Sequence, residues 1–122
     1  MLLVFIVFEF YLFHNLILKQ QIERIKRAIE SEKEKIADYR ENIASVRTRK
    51  KRRAESYSYK IKSTSSSSSK ANLRSSRADE WKEFSRIIDR DKVKITNSRE
   101  RISKHKEEIK REREKLKNHW NN

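Results

Sequence analysis

The first 18 residues, MLLVFIVFEFYLFHNLIL, form an almost unbroken apolar run, interrupted only by Glu9, His14 and Asn15. No comparable stretch follows. As a helix rising about 1.5 Å per residue the run would reach about 27 Å, close to the roughly 30 Å hydrocarbon thickness of a bilayer. No Lys or Arg precedes Lys19 and the first Ala is Ala28, whereas a secretory signal carries a basic start and a small-residue cleavage site. A mitochondrial presequence is Arg-rich, and this run has no Arg. The pattern therefore predicts an uncleaved membrane-anchor helix over 1–18, with burial inside a large soluble assembly as the alternative. Lys19, Arg24, Lys26 and Arg27 follow the run, so the positive-inside rule places the C-terminal part of a single-pass protein on the cytoplasmic or matrix side. Glu9 and His14 become intramembrane polar contacts. A carboxylate at that depth is costly and faces a partner or a cavity, and one carboxylate alone favours packing against a neighbouring helix over an ion relay.

After residue 18 the apolar positions change period. Ile22, Ile29, Ile36 and Ile43 recur every seven residues, and Ile25, Tyr39 and Val46 sit three residues after members of that row, with Glu32 breaking the second row. A second row of period seven runs through Trp81, Ile88, Ile95, Ile102, Ile109 and Leu116. Its companions at +3 are mostly polar: Asp91, Ser98, His105 and Glu112. Rows spaced three and four apart are the signature of a coiled-coil seam, here a narrow one. Between the two tracts, residues 60–76 read KIKSTSSSSSKANLRSS. Serine competes for backbone hydrogen bonds and favours loops and caps, so a Ser-rich basic loop is expected over 61–76, with Ser76 as N-cap and Asp79 and Glu80 in the first turn of the second helix.

A fold-back centred on Ser69 sets Ile22 against Leu116, Ile29 against Ile109, Ile36 against Ile102, Ile43 against Ile95 and Tyr57 against Trp81. In that register Ile25, Tyr39 and Val46 face Arg113, Arg99 and Lys92. The expected fold class is all-α: an anchor helix over 1–18, a coiled-coil helix over 19–60, the loop, and a second coiled-coil helix over 77–120, forming a long antiparallel hairpin. Two tracts that each pair with other chains would carry the same pattern. Since the seams are narrow, the chain is expected to order fully only against a partner or as an oligomer.

Composition sharpens this picture. Gly, Pro and Cys are each 0 among 122 residues. Sheet-rich folds need turn residues that Gly and Pro usually supply, and without Cys there are no disulfides, Fe–S clusters or thiolate zinc sites. Lys plus Arg is 32 against 18 Asp plus Glu, a net charge of +14. Residues 1–46 balance, with 7 basic and 7 acidic residues; residues 47–77 hold 11 basic residues against Glu55 alone; residues 78–122 hold 14 basic and 10 acidic. The excess lies in Arg47, Arg49, Lys50, Lys51, Arg52, Arg53, Lys60, Lys62, Lys70, Arg74 and Arg77. Such a block calls for an anionic partner: RNA, an acidic protein surface or lipid headgroups. Tyr57 and Tyr59 beside it offer rings for base stacking. About 36 residues of helix separate residue 22 from the tip near residue 58, roughly 54 Å, which puts the basic tip beyond the reach of a bilayer's surface potential if the hairpin stands upright. The fold-back also returns Trp120 to the level of residue 18, at a bilayer interface or a protein contact.

Enzymatic chemistry is not expected. There is no Gly-rich phosphate loop, no Cys nucleophile, and no serine in a strained elbow beside a base. His105, Glu108 and Glu112 share a helical face, but a helix this charged produces that spacing without a metal, and inward-facing carboxylate–His sets from several helices are absent. No cofactor or metal is implied. The leading expectation is a non-catalytic structural or assembly subunit of a membrane complex that contacts other subunits through anchor and coiled coil. An RNA-binding accessory protein of a ribonucleoprotein and a membrane tether with a basic contact tip are the alternatives.

Overall fold

The computed structural model describes the backbone of residues 2–121 and the side chains of residues 2–118. Two helices account for nearly all of it: α1, Leu2–Ser63, and α2, Ser67–Asn121. They pack against each other as a hairpin, and no strand occurs among the described residues. The anchor run and the first heptad tract are one continuous helix of 62 residues.

The Ser-rich loop expected over 61–76 is a connector of only three residues, 64–66, and α2 starts at Ser67, not at 76–77. The reason lies in the hydroxyls. Ser66 is the N-cap of α2: its Oγ accepts from the Ser69 backbone N–H at 3.4 Å, and its carbonyl accepts the first helical bond, from the Lys70 N–H at 3.0 Å. At the other side of the turn, Ser63 Oγ donates to the Tyr59 carbonyl at 2.8 Å and Thr64 Oγ1 to the Lys60 carbonyl at 2.7 Å. Lys60 and Lys62 in the last turn of α1 oppose its dipole. Hydroxyls thus serve orphan backbone groups at both helix ends. None of the described residues has a positive φ, so the turn closes without glycine. Ser76, the expected cap, is an exposed residue inside α2, and Asp79 and Glu80 lie beyond its first turn, which has no acidic residue.

The helix pair divides into two compact units, Met1–Glu34 with Ser98–Asn122 and Lys35–Asn97. In the first, Ile22, Ile29 and Ile109 form a buried cluster, with Ile25, Ile102 and Leu116 packed on it; Leu18 is buried as well. In the second, Ile36, Ile43, Val46, Tyr57, Phe84 and Ile95 are buried, while Tyr39, Trp81 and Ile88 are half-buried. Leu18 and Phe84 join the seam without having been expected there. Phe84 occupies the companion row of α2, three residues after Trp81, and that row continues through Asp91 and Ser98, both essentially inaccessible, to half-buried His105 and Glu112. The side chain of Trp120 lies outside those described.

The expected register needs a correction: the fold-back centre moves by two and a half residues, so each residue of α1 meets a partner five residues earlier in α2. Four cross-helix contacts, Glu32–Arg101, Tyr39–Lys94, Asn42–Asp91 and Arg53–Glu80, share a midpoint between Ser66 and Ser67, not at Ser69. Tyr39 accordingly lies under Lys94, 5.5 Å from ammonium to ring centroid, instead of facing Arg99. Tyr57 and Trp81 still meet edge to face, with centroids 6.2 Å apart. Rows of period seven align at several centres, so apolar spacing leaves the register open. The capped turn and the polar pairs choose among the centres.

Replacing Ser66 with Ala removes the N-cap and should destabilise the hairpin by about 0.5–2 kcal/mol. Ser76→Ala places a good helix former in an exposed helix interior and should be neutral or slightly stabilising. Thermal unfolding of the full chain in detergent micelles, followed by circular dichroism, separates the two.

Candidate membrane-facing and anion-binding surfaces

In the first unit, the N-terminal turns of α1 carry a sheath of exposed apolar side chains. Leu2 is 81% exposed, Phe10 73% and Phe13 61%, and Leu3, Val4, Phe5, Ile6, Val7, Phe8, Leu12 and Leu16 are exposed too. Leu2, Val4, Phe5 and Phe8 line a shallow, open apolar groove. This helix is long and apolar enough to cross a membrane. A contiguous sheath of this kind exceeds what soluble monomers normally leave in water. Glu9 is exposed among these side chains, and His14 is exposed near the end of the run. Asn15 is buried, and neither its Oδ1 nor its Nδ2 has a hydrogen-bond partner among the described residues. An unsatisfied buried amide costs about 1–3 kcal/mol.

Below this point the polar companions of α2 are handled individually. Buried Glu32 accepts an ion pair from Arg101 Nε at 3.1 Å, and Arg101 Nη2 donates to Ser98 Oγ at 3.1 Å. His105 Nδ1 lies 3.4 Å from Glu108 Oε1. Among the described residues no group of three or more His, Cys, Asp or Glu is placed to hold a metal ion.

In the second unit, Asp91 is 1% exposed, and its Oδ2 accepts from Asn42 Nδ2 while Arg90 Nε stands 3.6 Å from Oδ1. The basic block separates into two populations. Arg53 is committed internally. Its Nε and Nη2 donate to both Glu80 oxygens, at 3.0 and 2.7 Å; Nη2 also reaches Tyr57 Oη at 3.3 Å; and the guanidinium sits 5.0 Å from the Tyr57 ring centroid. Half-buried Lys50 lies over Trp81 at 5.6 Å. The hydrogen bond from Arg53 holds the Glu80 carboxyl below the usual glutamate range, assisted by the positive charges of Arg53 and Lys60, and the same bond pushes Arg53 further above its ordinary value. The other nine basic residues make no side-chain hydrogen bond or ring contact among the described residues. Arg47, Arg49, Lys51, Arg52, Lys60, Lys62 and Arg74 are exposed and Lys70 and Arg77 half-buried, and none forms an ion pair within the described residues. Tyr59 stands among them, 74% exposed, whereas Tyr57 is buried in the seam and offers no free ring face. Heptad spacing carries the signal for these two: Arg53 stands seven residues after Val46 and Lys50 seven after Ile43, so both continue inward rows.

The Arg53–Glu80 bridge makes stability pH-dependent with a defined sign. A carboxyl whose pKa is depressed on folding adds stability that is complete above the unfolded value and disappears as pH falls through the folded one. The difference in thermal midpoint between the wild type and Glu80→Gln should therefore be largest at neutral pH and shrink steadily below the usual glutamate range; a difference independent of pH would show that the bridge adds nothing.

No family model, no curated protein and no solved structure matches this chain.

Proposed function

We propose that this protein is a non-catalytic structural or assembly subunit of a membrane complex, held in the bilayer by residues 1–18 and bracing partner subunits with a coiled-coil hairpin on the cytoplasmic or matrix side. The observation that carries this reading is the exposed apolar sheath from Leu2 to Leu16 at the head of a helix that continues into a charged, polar-faced tract. Burying such a sheath in lipid removes its contact with water at about 25 cal/mol per Å². Glu9 adds the need for company, since an acidic side chain at mid-span costs about 2.5–3.5 kcal/mol on insertion scales and is normally met by another helix or a polar cavity. The unpartnered Asn15 amide at the end of the sheath supports the same conclusion. The long heptad surfaces suit bracing of partner helices.

Extraction with alkaline carbonate tests the anchor. The full chain should remain in the membrane pellet, and Val7→Asp, which adds a second acid to the span, should shift it toward the supernatant. Release of the wild type by high salt alone would overturn the anchor and leave burial in a soluble assembly.

The outward population of the basic block supports a second reading, an RNA-binding accessory protein, because Arg47, Arg49, Lys51, Arg52 and Lys62 are exposed in the same stretch of α1 as exposed Tyr59, with Glu55 the one acid in that stretch. Contacts to several phosphates make affinity fall steeply with salt, with a slope of about −0.7 per phosphate on single strands. The full chain in detergent should then bind single-stranded RNA with a steep salt slope that flattens in Arg49→Gln/Arg52→Gln. Absence of binding at low salt would dismiss this reading.

A further inference from the structure

The fold brings together two basic segments that are far apart in the chain. In the first unit, Ile109 and Leu116 of α2 pack with Ile22, Ile25 and Ile29 of α1, so residues 110–117 lie beside the segment that follows the apolar sheath. Segment 19–27 contributes Lys19, Arg24, Lys26 and Arg27 against Glu23; segment 110–117 contributes Lys110, Arg111, Arg113, Lys115 and Lys117 against Glu112 and Glu114. All nine basic side chains are exposed. Two are neutralised locally, Lys26 by Glu23 at 3.3 Å and Lys115 by Glu112 at 3.1 Å. The other seven have no ion-pair partner among the described residues, and only Glu114 remains as an unpaired acid. The helices also carry shallow grooves here with a basic excess, one lined by Lys19, Arg24 and Arg27 against Glu23, the other by Lys106, Lys110, Arg113 and Lys117 against Glu114.

We propose that these two segments form a collar that binds the headgroups of anionic phospholipids at the membrane surface. The inference rests on the anchor reading above. Eight residues separate Lys19 from Arg27, about 12 Å of helix, so the collar on α1 starts where the apolar run stops and ends within little more than a Debye length of about 8–10 Å. A membrane-proximal cluster of four to eight Lys and Arg is the composition that attracts anionic lipid. Long Lys and Arg stems let the charges bend back toward the phosphates while their methylenes stay against apolar surface. Sequence order alone would credit only Lys19 to Arg27 with this role. The hairpin adds the charges of 110–117 from the opposite end of the chain, making closure of the hairpin and recognition of lipid charge one event.

The test is lipid selectivity of the full chain reconstituted in phosphatidylcholine vesicles, read by electron paramagnetic resonance of spin-labelled phosphatidylserine and phosphatidylcholine at the protein boundary. The wild type should favour the serine lipid several-fold, with the preference falling toward one as salt is raised. Soluble glycerophosphoserine should not displace it, which separates a bilayer headgroup from a free phosphate. Lys110→Gln/Arg111→Gln/Arg113→Gln/Lys117→Gln should lose much of the preference while still incorporating into carbonate-resistant vesicles, and the charge-conserving Lys110→Arg/Lys117→Arg should retain it. Equal association of the two lipids with the wild type, or an unchanged preference in the quadruple variant, would overturn the collar and leave the anchor standing. Failure of the wild type to incorporate would overturn the anchor and the collar together.

Discussion

A seam with one large aliphatic residue per two turns on each row holds α1 and α2 together, and the rest of the molecule depends on that narrowness. Each fully buried isoleucine contributes about 1.5–3 kcal/mol, and the row from Ile22 through Ile43 meets a partner row whose companion positions are occupied by Asp91, Ser98, His105 and Glu112. A broader apolar stripe would tolerate sliding, since isoleucine against isoleucine is much the same at any heptad step. Here sliding would strip Asp91 of Asn42 and Glu32 of Arg101, costing two buried carboxylates their cross-helix partners. Polar positions in a seam of this kind select register at a cost in cohesion, and the structure places them in both of its units.

The same economy governs the surface. Because so little of each helix faces inward, most of its charge faces out, and the side chains that do turn inward use aromatic and alkyl faces. Lys50 over Trp81, Arg53 over Tyr57 and Lys94 over Tyr39 cover rings that the seam cannot enclose by itself. Trp81 is gripped on three sides, by Tyr57, Phe84 and Lys50, so the aromatic cluster lies near the turn while the aliphatic cluster of Ile22, Ile29 and Ile109 belongs to the other unit. The basic block is thereby divided in function between internal ties and outward charge.

Periodicity made the two helices and their inward rows legible, because a repeat of seven survives substitution of individual members. It said nothing of the turn, where low-complexity serine reads as loop by composition but supplies hydroxyl caps by position. Ser63, Thr64 and Ser66 each satisfy a backbone group, and Ser67 to Ser69 simply continue as helix. The register was ambiguous for the same reason that the rows were clear. Phe84 and Leu18 stand in companion rows beside polar neighbours or at the end of the apolar run, where the period is less plain, and the charge run around Arg53 masks a heptad position seven after Val46. The apolar sheath was plain from residue order, while the unsatisfied Asn15 amide emerged only from packing.

The three-residue connector has a kinetic corollary. Residues flanking it, such as Arg53 and Glu80, are separated by 27 positions, whereas Ile29 and Ile109 lie 80 apart along the chain. The entropy of closing a loop rises with its length, so pairing that begins at the turn and zips toward the termini avoids the long closures, each new contact shortening the loop left for the next. Opening runs the other way: contacts far from the connector, such as Ile29 with Ile109, are released before those beside it, such as Arg53 with Glu80.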